Sequence, residues 1–153
     1  MPAHSSVAKV KQGTPYSRLA TKGGEKSRLV VGGYALAFHG YPRYTKDIDF
    51  WVWVNEENAK NLVKTLKEFG FSSLDLNKDD FLSPGYVVQL GHPPGRIDLL
   101  TSVTGLDFEE CYESRVHIEI QGSDIDFIDL ESFKKNKKAV GRYQDLADLE
   151  NLE

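Results

Sequence analysis

Three acidic residues carry the chemistry this chain suggests. Asp47 and Asp49 flank Ile48, and Asp98 lies fifty-one residues beyond Asp47 in Arg96-Ile97-Asp98-Leu99-Leu100. A strand points alternate side chains to opposite faces, so residues two apart share a face. Asp47 and Asp49 therefore point one way and Ile48 the other, into apolar packing. A second strand carrying Asp98 alongside would bring three carboxylates onto one face. Such a set offers hard oxygen ligands, which suit Mg²⁺. Two such ions can bridge carboxylates and a triphosphate, activate an attacking hydroxyl and stabilise departing pyrophosphate. In that arrangement Asp47 and Asp49 are metal ligands, and Asp98 completes the site and can accept the hydroxyl proton.

Upstream lies a second half of the pattern. Gly32-Gly33 would let the backbone approach a phosphate closely, and the helix that follows opens with unpaired amide donors. Arg43 and Thr45 precede the acidic pair and can offer charge and a hydroxyl to phosphate oxygens. Lys46, Lys137, Lys138 and Arg142 are further candidates for balancing triphosphate charge. Each feature has an ordinary reading: an Asp-x-Asp in a strand is usually a solvated face, a Gly-Gly pair a turn, and Asp98 a partner for Arg96. Lys134–Lys138 reads by composition as a solvated helix face. Trp51 and Trp53 alternate with valine and read as packing residues, and His39 as a packing histidine at a helix end. The functional reading rests on the joint occurrence of glycines, helix, basic-hydroxyl step, acid pair and later third acid.

The elements that must position these residues can be traced. Leu29–Val31 is a short buried strand, Tyr34–His39 a short helix ended by Gly40 and Pro42, and Asp47–Val54 a strand rich in Trp, Val and Phe. Asn55 caps a helix running to about Phe69, whose apolar face is Ala59, Leu62, Val63, Leu66 and Phe69. Leu74–Ser83 reads as loop. Tyr86–Leu90 and Arg96–Thr101 are strands joined by a Gly/Pro-rich turn. Val116–Ile120 and Ile125–Ile128 form a pair around Gln121-Gly122-Ser123, and Leu130–Leu152 is helix with a break near Gly141. The pattern predicts a single α/β (α+β) domain over residues 29–153, with a short mixed sheet and helices mainly on one side. Residues 1–28 are polar and aperiodic, and read as a poorly ordered or atypical segment.

The bulk properties narrow the class. The chain has 153 residues, enough for one core, and a net charge of −4, which argues against a broad electrostatic nucleic-acid surface. The single cysteine, Cys111, excludes an internal disulfide and a cysteine zinc site, so a reducing, cytoplasmic setting is the default expectation. No segment reads as a membrane span or a signal peptide. Tyr and Phe in excess of what a small core hides leave a homodimer open.

The combination of Gly32-Gly33, Asp47-Ile48-Asp49 and Asp98 resembles the nucleotidyltransferase superfamily built on the DNA polymerase β-like fold. More narrowly, the GGYA, TKDID, RIDLL and C-terminal Asn136–Asp148 segments look like small bacterial nucleotidyltransferase-like proteins. Those are similar to abortive-infection nucleotidyltransferase toxins and lincosamide-type antibiotic nucleotidyltransferases. The resemblance covers the chain from about Leu29 onward. It implies Mg²⁺-dependent transfer of a nucleoside monophosphate from an NTP such as ATP to an acceptor hydroxyl, with two ions at the carboxylates. It also implies that Lys137 and Arg142 contact triphosphate and that Asp145 or Asp148 orients them. Relatives usually carry an amphipathic helix before the Gly-Gly strand, and residues 1–28 show no such pattern. The acceptor is open among RNA (a tRNA end included), protein hydroxyls and small molecules. An antibiotic-modifying enzyme would share this chemistry. The rival from another class is a non-catalytic module of a toxin–antitoxin pair that binds nucleotide or a helical partner protein.

Overall fold

In the computed structural model, which describes residues 27–41, 47–92 and 95–152, the sheet is built outward from the strand that carries the acid pair. β1 (Arg28–Val31) runs antiparallel to β2 (Ile48–Val52), with Val31 opposite Asp49 and Leu29 opposite Trp51. β4 (Ile97–Leu100) lies parallel to β2 on its other side, and β3 (Val87–Leu90) closes that edge antiparallel to β4. β6 (Ser123–Phe127) pairs parallel with β1 and antiparallel with β5 (Val116–Ile120). The order is β3-β4-β2-β1-β6-β5, a six-stranded mixed sheet as the sequence predicts.

The central strands β1, β2 and β4 are buried at nearly every position, as strands covered on both faces are, whereas β6 alternates, burying Ser123, Ile125 and Phe127. Leu29, Phe50 and Leu99 are fully buried on adjacent strands. α1 (Gly32–Phe38) buries Ala35, Leu36 and Ala37 and stacks Phe38 on Phe127 at 4.2 Å between ring centroids. His39 closes this helix, its Nε2 lying 2.7 Å from the Ile128 carbonyl oxygen. α1 starts two residues earlier than the periodicity implies, because Gly32 itself, at φ +67°, turns the chain out of β1.

α2 (Glu56–Glu68) is capped by Asn55, whose side chain accepts from the Asn58 amide, and it buries Ala59, Leu62, Val63, Thr65 and Leu66. The Asn58 side chain donates to the carbonyls of Ser27 and Trp53, tying the start of β1 to the exit of β2. The stretch read as loop over Leu74–Ser83 contains a capped 3₁₀ turn, Lys78–Phe81, that plugs the core with Phe81.

A helix that the periodicity does not reveal, α3 (Phe108–Glu113), is capped by Asp107. It sets Phe108 edge-on to Trp51 and stacked on Trp53, so both tryptophans are packing residues. Cys111 on the same helix is buried and free. β5 and β6 meet in a two-residue turn, Gln121-Gly122, with both residues at positive φ, the geometry that matches strand twist. The C-terminal helical stretch divides at Gly141, which takes the left-handed conformation (φ 70°) that ends a helix. It gives α4 (Leu130–Val140) and α5 (Tyr143–Leu152). Among the described residues no helix is long and apolar enough to cross a membrane.

Candidate active site

The parallel register of β2 and β4 places Asp49 directly beside Asp98. This is the convergence the sequence suggests, and the remaining geometry is built on it. Asp47 sits at the lead-in to β2, one residue before its first ladder position, rather than inside the strand. Asp98 is buried, and Asp47 and Asp49 are partly buried.

Gly32 faces the acid pair. A Cβ at Gly32 would lie 2.2 Å from Oδ2 of Asp49 and 3.2 Å from its Cγ. Both the positive φ and this close approach demand glycine. The first glycine of the pair thus has an identified task, to let the Asp49 carboxyl occupy the space beside the β1–α1 turn. Gly33 follows in the first turn of α1.

One cation is built into the cluster. Arg96 Nε donates to Oδ1 of Asp98 at 2.8 Å and Nη2 donates to Oδ2 of Asp98 at 3.1 Å. The same Nη2 lies 3.0 Å from Oδ2 of Asp47. A single guanidinium therefore bridges two of the three acids. Sequence reasoning pairs Arg96 with Asp98 only as the ordinary alternative to a functional site. The signal for more was present: Arg96 and Asp98 flank Ile97, so they share a face.

The electrostatics are unbalanced. Burial, followed by the charge and hydrogen bond of Asp98 and the charge of Asp47, raises the Asp49 carboxyl to about 7, and Arg96 opposes that rise. Two carboxyls side by side in a partly dry site cannot both ionise without a compensating cation. Hard carboxylate oxygens of this kind fit a divalent ion such as Mg²⁺. As they stand, no group of three or more His, Cys, Asp or Glu among the described residues is arranged to hold a metal ion.

The other predicted site residues divide into two groups. Arg43, Thr45 and Lys46 lie outside the described residues. Lys137 and Arg142 are joined to each other through Asp145. Lys137 Nζ lies 3.2 Å from Asp145 and 3.4 Å from Asp148, between α4 and α5. Arg142 Nε donates to Asp145 Oδ2 at 2.7 Å, and the Arg142 amide donates to the same oxygen. Asp145 thus orients both cations, and its carboxyl is held down to about 2, chiefly by the Arg142 hydrogen bond with Lys137 adding to it. The Lys137 ammonium is nearly buried, whereas the Arg142 side chain is 74 % exposed.

The arrangement of the sheet has a counterpart among solved structures. A Thermotoga maritima protein described as a "putative nucleotidyltransferase" matches over 99 % of this chain and 94 % of its own. The TM-score is 0.61 at 16 % sequence identity.

This chain has a nucleotidyltransferase-like fold.

At that identity the likeness concerns the path of the backbone. No protein-family model matches the chain, and no curated protein does. Within the nucleotidyltransferase-like fold, Asp49 lies on a strand beside the one that leads into the Gly-Gly turn, Asp47 lies at the start of that strand, and the third acid lies on the next parallel strand.

Proposed function

We propose that the protein is a Mg²⁺-dependent nucleotidyltransferase that moves a nucleoside monophosphate from an NTP to an acceptor hydroxyl. One observation carries this reading: Asp49 and Asp98 are register partners on adjacent parallel strands, with Asp47 tethered to Asp98 through Arg96. Asp47, Asp49 and Asp98 would hold the metal. When bound, Mg²⁺ supplies positive charge for the triphosphate and lowers the pKa of a hydroxyl at the site.

The roles of the chain's own groups follow from position. Asp98 accepts the proton of the acceptor hydroxyl. The acceptor oxygen forms a bond to the α-phosphorus as the bond to the bridging oxygen breaks, and pyrophosphate leaves with that electron pair. Gly32 and Gly33 keep side chains out of the path of the phosphates. Arg43, Thr45, Lys137 and Arg142 are proposed phosphate contacts on the strength of the family resemblance.

The test is transfer of label from each α-³²P-labelled NTP, with Mg²⁺, onto tRNA, a protein extract and a pool of small hydroxylated molecules. Label in one pool, lost with Asp49→Ala at unchanged circular dichroism, supports the enzyme and names its acceptor class. Turnover retained in that variant rules out the triad.

A second reading, a partner-binding module of a toxin–antitoxin pair, has one observation in its favour. On α5, Tyr143 and Leu146 are exposed, and Leu146 borders an open groove with Lys134, Lys135 and Lys138 of α4. Metal-dependent NTP binding discriminates the two, since a module that only binds protein has no need of it.

A further inference from the structure

Arg96 does not behave as an ordinary structural clamp. A clamp balances the charges it joins. Among the described residues one guanidinium joins two carboxylates, donating to Asp98 through two nitrogens and reaching Asp47 with one of them. It also lies near enough to Asp49 to favour that carboxylate's charged form. Arginine cannot discard its charge to make way for another cation. A divalent ion entering the same oxygens would meet a like charge a few ångströms away, a repulsion only partly screened at a half-buried site. The same oxygens cannot serve both. The Arg96 side chain is 27 % exposed, so the guanidinium has a route to solvent. It hangs from the residue before β4 by a flexible stem, whereas Asp49 and Asp98 carry short side chains on strands in fixed register.

We propose that Arg96 is an exchangeable counter-ion: it neutralises and spaces Asp47 and Asp98 when no metal is bound, and a divalent cation must displace it to occupy the carboxylates. The proposal rests on the metal-binding reading of the three acids. Its consequence is that cation affinity is set by competition within the chain. Arg96 keeps the acid cluster folded without metal and makes metal binding weaker than the bare carboxylates would allow. It is a positioning residue, acting on the ligands rather than on the reacting atoms.

The test is Mn²⁺ binding to the full chain, in one buffer at one pH for all variants, followed by the paramagnetic signal of free Mn²⁺. Wild type, Arg96→Gln, Arg96→Lys and Asp49→Ala are compared, together with thermal denaturation with and without Mn²⁺. Removing a like charge at this distance changes the affinity for a cation by about tenfold, so Arg96→Gln is expected to bind Mn²⁺ about tenfold more tightly than wild type. Without metal it should melt at a lower temperature than wild type, and Mn²⁺ should raise its melting temperature by more. Arg96→Lys keeps the charge but loses the two-pronged geometry, so it should fall between the two. It also carries the test if the glutamine variant does not fold.

Equal or weaker Mn²⁺ affinity in Arg96→Gln, while wild type binds and Asp49→Ala does not, overturns the counter-ion and leaves the metal site standing. No Mn²⁺ binding by folded wild type or by either Arg96 variant removes the metal site and the counter-ion with it.

Discussion

Two clusters of acids and bases in this molecule use similar residues to opposite effect. Between α4 and α5, two aspartates meet two cations: Lys137 reaches Asp145 and Asp148, and Arg142 reaches Asp145. Between β2 and β4, Arg96 is the cation that the described residues bring to Asp47, Asp49 and Asp98, and it pairs with Asp47 and Asp98. In the first cluster Asp145 is held down to about 2; in the second Asp49 is pushed up to about 7. Both are partly shielded from water, so burial alone does not separate them. The balance of charge does. A balanced cluster serves as a fastener, and an unbalanced one stores electrostatic cost that a ligand can relieve.

The largest expected effect breaks the unbalanced cluster. Asp49→Ala removes one of two adjoining carboxylates and should lower NMP transfer by at least about a thousandfold, as loss of a group acting on charge development does. Its metal-free stability should be unchanged or higher, because a like-charge contact goes with it. Steady-state label transfer and urea denaturation on one preparation check both halves.

Gly32→Ala comes next. The new Cβ would collide with the Asp49 carboxyl, and the φ of +67° is strained for any L side chain. The variant should lose about 1–3 kcal/mol of stability and displace Asp49. Transfer activity should fall far more than that loss of stability accounts for, measured where the protein remains folded.

The balanced cluster should respond the other way. Lys137→Met leaves Asp145 and Asp148 buried without their shared ammonium and should cost about 3 kcal/mol by urea denaturation. A loss of transfer activity beyond what the lost stability accounts for would support the phosphate contact that the family resemblance assigns to Lys137.

The pH dependence of metal-free stability should carry opposite signs at the two sites. The Asp145 carboxyl is depressed in the fold, so its contribution is present above its ordinary value of 3.8 and disappears as pH falls toward about 2. The Asp49 carboxyl is raised, so its contribution is present below 3.8 and disappears as pH rises toward about 7. Asp49→Ala should flatten the second slope and leave the first intact in denaturation curves collected across that range.

The smallest effect is expected from Arg142→Gln. The side chain is largely exposed, so its ion pair with Asp145 should be worth under about 1 kcal/mol. A drop in NTP affinity in this variant, by contrast, would support the phosphate contact that the family resemblance assigns to it.

How much of this was readable beforehand depends on sequence distance. The Gly-Gly turn, the helix capped by Asn55 and the acid pair were legible because their signals are local: a φ requirement, a cap and a period of two. The pairing of β2 with β4 was legible only as a condition, since nothing local brings residue 49 beside residue 98. The role of Gly32 toward Asp49 and the bridging by Arg96 depend on that pairing, so they emerge only with the register. α3 was missed because six residues hold too few turns to show a period. Its one local signal was Asp107 followed by Glu109 and Glu110, a cap with acids in the first turn. At the C-terminus, the alternation of Lys137, Arg142, Asp145 and Asp148 reads equally well as a phosphate-binding face or a solvated one. In the structure Lys137 and Arg142 meet Asp145 because Gly141 ends α4 and α5 packs against it.

The most direct test of the account is binding of a non-hydrolysable NTP analogue to wild type and Asp49→Ala, titrated calorimetrically with and without Mg²⁺. Binding should require Mg²⁺ and be lost in the variant. Binding that is indifferent to both Mg²⁺ and Asp49 would contradict it.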